Sequence, residues 1–188
     1  YNLFPKPNFV FQEIEYIYET KKFADIKEIK TYVSFKNLFS VNKINIENIV
    51  LNKVNFYVNK NNYKFFTNIL NKNLSNFNFI INNSSMVFKN IEKDVLFINK
   101  INKLKYFFDS KDKKNTLTSK NEIFNIPYTA EFKDYPDEKK IISKIDFNFL
   151  KLQIHNDLNY EKIFKNGLVK FDYNKNKGEI SYEIKKNF

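Results

Sequence analysis

Few residues in this chain have the types and spacing that chemistry needs. His155 is the single histidine, and Asp157 lies two positions on. The pair is half of a metal site or half of an acid–base couple, with no second histidine and no cysteine to complete either. A histidine on the solvent side or at the end of a strand is the simpler reading. Glu13 and Glu15 fall on one face of a strand pattern and mimic a carboxylate pair, but exposed strand faces carry such residues mostly for solvation. Asp109, Asp112 and Asp134 stand in loop-like stretches without the spacing of a calcium loop. No glycine-rich phosphate loop, nucleophile elbow or paired-histidine metal helix occurs. Asn73-Leu74-Ser75 and Asn83-Ser84-Ser85 match the glycosylation pattern, as chance provides in an asparagine-rich chain. Tyr57, Lys60, Tyr63, Lys64 and Phe65 interleave rings and cations as single-strand nucleic-acid binders do. Neither an enzyme nor a bound cofactor or metal is expected.

Composition narrows the class. The net charge of +11 comes from 32 basic and 21 acidic residues, and every basic residue is lysine. Such a balance points to nucleic acid or an anionic membrane surface. Asn, Lys, Ile, Phe and Tyr dominate while Gly (2) and Pro (4) are scarce, so A/T-rich codon usage is a sufficient source of the lysines. Without cysteine there is no disulfide or zinc-thiolate chemistry. No apolar run reaches the roughly 18 residues of a transmembrane helix. Hydrophobic content of 43%, with 18% aromatic, is too high for a disordered chain. The chain opens on Tyr1 and closes on Phe188, which leads us to expect one domain segment, 1–188, of a longer protein.

The elements follow from hydrophobic spacing. Asn8 to Thr20 and Phe23 to Phe35 read as a hairpin turning near Thr20-Lys21-Lys22. Ile29, Thr31, Val33 and Phe35 share one face of the second strand, and Ile44 and Ile46 start the next. At Glu47-Asn48 the pattern slips by one residue, which predicts a β-bulge; Ile49, Leu51, Val54, Phe56 and Val58 carry the strand on. Asn59 to Asn62 predicts a loop and Tyr63 to Leu70 a short helix. Phe77 to Phe88 reads as a hairpin turning at Asn82-Asn83-Ser84. Val95 to Ile98 and Lys103 to Asp109 predict two strands broken around Asn99, and Ile123 to Lys133 a further strand in which Pro127 marks an edge, a bulge or a start. Asp134 to Lys140 is a loop. Ile141 to Ile154 changes register at Phe149-Leu150, a second expected bulge. Val169 to Tyr173 and Ile180 to Ile184 close the chain as a hairpin, with Gly167 before a strand and Gly178 in a turn.

Strands joined by short turns pair with their neighbours. The expected fold is therefore mainly β: a long antiparallel meander with one or two short helices, too few to cover its apolar face. A closed barrel, a sandwich or an open groove would each hide that face.

The run VSFKNLFS followed by INIENIVLNKVNFYV, from Val33 to Val58, resembles the amino-terminal part of the AsmA family of bacterial envelope proteins, and the resemblance covers most of the chain, through Phe9 to Leu70 and the later hairpins. Related TamB-like proteins belong to the wider class of bridge-like lipid-transfer proteins. The resemblance implies a periplasmic β-groove, an inner-membrane anchor outside this sequence, and a part in phospholipid transport or outer-membrane homeostasis. It implies no catalytic residue, and phospholipid acyl chains as partners. On that reading Val33, Phe35, Ile44, Ile46, Val54, Phe56, Phe77, Phe79, Phe147 and Phe171 line one continuous concave face. The alternatives are a closed β-domain acting as a binding or scaffold module, and a single-stranded nucleic-acid binder.

Overall fold

The computed structural model describes residues 6–18, 20–35, 45–66, 78–161 and 164–185. Strands take up 77% of them. They are β1 (Asn8–Tyr18), β2 (Lys21–Val33), β3 (Ile46–Val58), β4 (Asn78–Lys89), β5 (Val95–Asp109), β6 (Lys114–Ile123), β7 (Ile126–Tyr135), β8 (Lys140–Phe147), β9 (Leu152–Tyr160), β10 (Phe164–Tyr173) and β11 (Asn176–Lys185). All eleven form one sheet in chain order, with β1 and β11 at its edges. The sheet is a meander that does not close into a barrel. Besides the strands there is one short helix, α1, seen over residues 63–66, and a 3-10 turn at Asn148–Leu150. Residues 67–70 of the expected helix lie outside the described residues.

Nine of the ten strand pairs are antiparallel; β3 and β4 are parallel. Parallel neighbours need a connection long enough to return to the starting end of the sheet. The stretch 59–77 between them supplies it, beginning with the predicted asparagine loop. There the Asn59 N–H donates to Asn62 Oδ1 at 2.8 Å, and Asn62 Nδ2 donates to the Tyr57 carbonyl at 2.8 Å.

The bulge at Glu47 is present: Tyr32 pairs with Asn48 and Val33 with Ile46, leaving Glu47 as the extra residue. A second change of phase follows at Lys53, which takes a left-handed conformation with φ of 54°. It lets Leu51 and Val54, three positions apart, both face the core. Glu13 on β1 (φ 52°) and Asn83 on β4 (φ 49°) do the same at matching positions, so a crease crosses the first four strands. Asn82-Asn83-Ser84 is thus part of the crease and not the predicted hairpin turn. β4 runs straight through it because Ser84 Oγ accepts the Val54 N–H at 3.0 Å and Asn82 Nδ2 donates to Asn52 Oδ1 at 3.0 Å.

Three other expectations change for similar reasons. The two strands foreseen around Asn99 are one strand, β5, in which buried Asn99 accepts a hydrogen bond from the Tyr128 hydroxyl at 2.9 Å. The register slip in that strand falls later, between Ile101 and Lys103. The expected bulge at Phe149-Leu150 is a chain reversal: the 3-10 turn and left-handed Lys151 bring Leu152 opposite Phe147. The strand foreseen from Ile123 to Lys133 is divided by a turn at Phe124 and Asn125, both at positive φ, so Pro127 stands at the start of β7. Before it lies an unforeseen strand, β6, whose buried Thr116, Ser119 and Asn121 hid it from a search for apolar alternation. Gly167 and Gly178 both lie inside strands, opposite Tyr182 and Phe171; a Cβ at either position would run into the facing ring.

The core is small. Ala24, Ile26, Leu51, Val54, Ile81 and Ile101 form one buried cluster spread over β2 to β5. Among the described elements, strands pack on their neighbours and on the Asn148–Leu150 turn, and α1 lies over one corner, so most of the sheet is one layer thick. A single layer buries residues such as Ile101 (3% exposed) and Ala130 (7%) by curling its apolar face inward.

Candidate functional site

Directly paired residues in a sheet point to the same face, so register alone sorts the side chains. One row runs Phe11, Ile29, Leu51, Ile81, Leu104, Ser119, Ala130, Ile145, Ile154, Phe171 and Gly178, crossing all eleven strands without leaving one face. The row before it runs from Phe79 through Tyr106, Leu117, Phe132, Ser143 and Asn156 to Val169 and Ile180. Stacked rings tie neighbouring strands along the same face: Phe88 on Phe97 at 4.3 Å and Tyr128 on Phe147 at 4.9 Å between centroids.

The opposite face is charged. Lys100 pairs with Glu122 at 2.5 Å, Lys133 with Glu131 at 3.0 Å and Lys144 with Asp146 at 3.3 Å. His155 belongs to that face, half exposed, with Nε2 3.3 Å from Asp157 Oδ1. No group of three potential metal ligands occurs among the described residues. Glu15 and Glu13 do not act together: Glu13 sits at the crease, while Glu15 pairs with Lys22 at 2.8 Å. Lys22 also holds Asp25 at 2.5 Å, and the Tyr57 hydroxyl donates to the same carboxylate at 2.6 Å. Hydrogen bonds to Asp25 and then Glu15 raise the Lys22 pKa, and those from Lys22 and Tyr57 lower that of Asp25. Asp109 closes its own turn, accepting the Lys111 N–H at 3.1 Å.

Of the ten residues expected to line one face, the register puts Val33, Ile46, Val54, Phe56, Phe79, Phe147 and Phe171 on it together. Ile44 and Phe77 lie outside the described residues, and Phe35 stands past the end of β2, half exposed. Accessibility divides the seven. Val33 and Val54 are buried by protein, Ile46, Phe56, Phe79 and Phe147 are half-buried, and Phe171 is 37% exposed. Sequence reading missed the polar members, Ser84, Asn99, Ser119 and Asn121, because only the register reveals their face.

Cover is uneven as well. At the β1–β3 corner α1 lays Phe65 against Phe23 (4.8 Å) and Tyr16 (5.7 Å), and Phe66 against Phe56 (6.1 Å). At the far end no described element lies over the face, where Phe171, Tyr173, Ile180 and Ile184 are 37 to 59% exposed. No helix among the described residues is long and apolar enough to cross a membrane. No family model matches the chain, and neither does any curated protein.

Proposed function

We propose that this chain is a non-enzymatic lipid-handling segment of the bacterial envelope, AsmA-like in kind. Its apolar face would shelter phospholipid acyl chains on their way between membranes, in the periplasm and near an inner-membrane anchor. The observation that carries the reading is the continuous apolar face of eleven strands, left open over β10 and β11. Soluble proteins rarely leave so extended a patch bare unless something apolar meets it.

The energetics favour such an occupant. Each methylene kept from water is worth about 0.8 kcal/mol, so an acyl chain of roughly 16 carbons gains on the order of 12 kcal/mol by lying on the face. Strands stand about 4.8 Å apart, so eleven of them carry the face over roughly 50 Å. The charged face keeps the other side of the sheet in water. Nucleic-acid binding is the weaker reading, because the lysines of that face are spent in part on ion pairs with Glu122, Glu131 and Asp146.

The test is fluorescent phospholipid transfer between vesicles. The wild-type chain should raise transfer well above the spontaneous rate. Phe171→Glu should retain the β-sheet circular dichroism and reduce transfer several-fold. Transfer no faster than in protein-free controls would overturn the proposal.

A further inference from the structure

Along β6–β11 the register puts only two charged side chains on the apolar face, Asp134 and Lys165. Both lie at the same rim of the sheet. Asn115 is directly opposite Asp134, Tyr106 is diagonal to Asn115, and the Tyr160 hydroxyl reaches across two strands to donate to Asp134 Oδ1 at 3.2 Å. Lys165 stands opposite Tyr160.

Two members of this cluster are unusual. Tyr106 is 4% exposed and Asn115 6%, yet the Tyr106 hydroxyl and Asn115 Oδ1 are buried without any hydrogen-bond partner. Asp134 has no cation within ion-pair distance among the described residues. Burying such groups unpaired is costly, and a sheet that needed only an apolar surface would put Leu and Phe there. Ile141 and Leu158 continue the row of Asp134 in apolar side chains, and the next row inward carries Leu117 and Phe132, then Ser143 and Asn156.

We propose that this rim cluster seats the protonated primary amine of an amphiphile's headgroup, with the acyl chains laid inward along the apolar face. The proposal rests on the lipid-handling reading above. A primary ammonium carries three N–H donors, and the cluster offers three acceptors for them: the Asp134 carboxylate, Asn115 Oδ1 and the Tyr106 oxygen. The two tyrosine rings favour a cation beside them. Lys165, next along the rim, suits the phosphate that follows the amine in an ethanolamine headgroup. A quaternary ammonium has no N–H to give and would leave Asn115 and Tyr106 unpaired.

The experiment incubates the chain with vesicles of equal phosphatidylethanolamine and phosphatidylcholine, recovers the protein and measures its lipids by mass spectrometry. The wild type should hold the ethanolamine lipid in about tenfold excess, the selectivity that one or two unpaired buried groups impose. Asp134→Asn should bring the ratio to within about twofold of unity. Tyr106→Phe should lower it part of the way without lowering the thermal midpoint, because it removes a buried hydroxyl that has no partner. Glu131→Gln, on the charged face of the same strand, should keep the wild-type ratio. Lipid recovered without headgroup preference, or a preference that survives Asp134→Asn, would overturn the seat and leave the lipid-handling reading standing. Recovery of neither lipid would overturn that reading and the seat with it.

Discussion

The two ends of this sheet solve the same problem differently. Every register irregularity lies in the pairings of β1 to β6: at Tyr16/Ile17, Tyr32/Val33, Phe88/Lys89 and Ile101/Lys103. Among the described residues, the three left-handed ones within strands, Glu13, Lys53 and Asn83, are there too. From β6 to β11 the pairings are regular, and left-handed residues occur only in turns. Burial follows the irregularity. Apart from Pro7, the buried apolar residues among those described lie in β2 to β7, and none in β8 to β11. Bulges and left-handed residues raise local twist and re-aim side chains. A single layer that bends can bury its own face, whereas one that stays regular leaves it exposed.

The sharpest way to break this contrast is a charge on each half. Val54 is completely buried in the central cluster, so Val54→Asp would bury an unpaired carboxylate and cost at least 3–5 kcal/mol, enough to unfold a marginal domain. Ile180→Glu, at 59% exposure on the same face, should change stability by less than about 1 kcal/mol. Urea denaturation followed by circular dichroism compares the two. Equal losses would mean that the face is uniformly packed and that the contrast is empty.

Sequence legibility divides along the same line. Strand positions could be read where apolar residues alternate cleanly, as in Ile29 to Val33 and Val169 to Tyr173, and the bulge at Glu47 could be read because Ile46 and Ile49 fall out of phase. The phase change at Lys53 leaves the same three-residue step, Leu51 to Val54, but a lysine does not signal the left-handed conformation that makes it. β6 was hidden because three of its inward residues, Asn115, Ser119 and Asn121, are polar; Asn121 Nδ2 donates to Ser119 Oγ at 2.7 Å. Alternation assigns faces within one strand only. Bringing Tyr106, Asn115, Asp134 and Tyr160 to one rim takes the pairing of five strands, which no local pattern contains.

The crease can be tested by relaxing it. A left-handed conformation costs a residue with a Cβ about 1–2 kcal/mol, and glycine is spared that cost. Lys53→Gly should therefore stabilise the chain by about 0.5–1 kcal/mol, while Lys144→Gly in the regular half should destabilise it by a similar amount. The signs should differ although both replace a lysine on a strand. Destabilisation by both would show that Lys53 holds the crease through its side chain.

The smallest effect separates the halves by pH. Asp25, on β2 beneath the crease, takes hydrogen bonds from Lys22 and Tyr57 that lower its pKa below the ordinary carboxylate value. A carboxylate with a lowered pKa in the folded state adds stability that is fully present above its unfolded pKa. That stability is lost as pH falls through the folded one. The carboxylate is over one-third exposed, so screening by solvent keeps the contribution under about 1 kcal/mol. Between pH 6 and pH 2 the wild type should thus lose slightly more stability than Asp25→Asn, which has no proton to take up at that position. In the regular half, Asp172 is paired more loosely, at 3.9 Å from an exposed Lys177. Matching acid limbs for the wild type and Asp25→Asn would place the Lys22–Asp25–Tyr57 cluster among surface contacts of no energetic weight, leaving bulges and burial as the whole difference between the two ends.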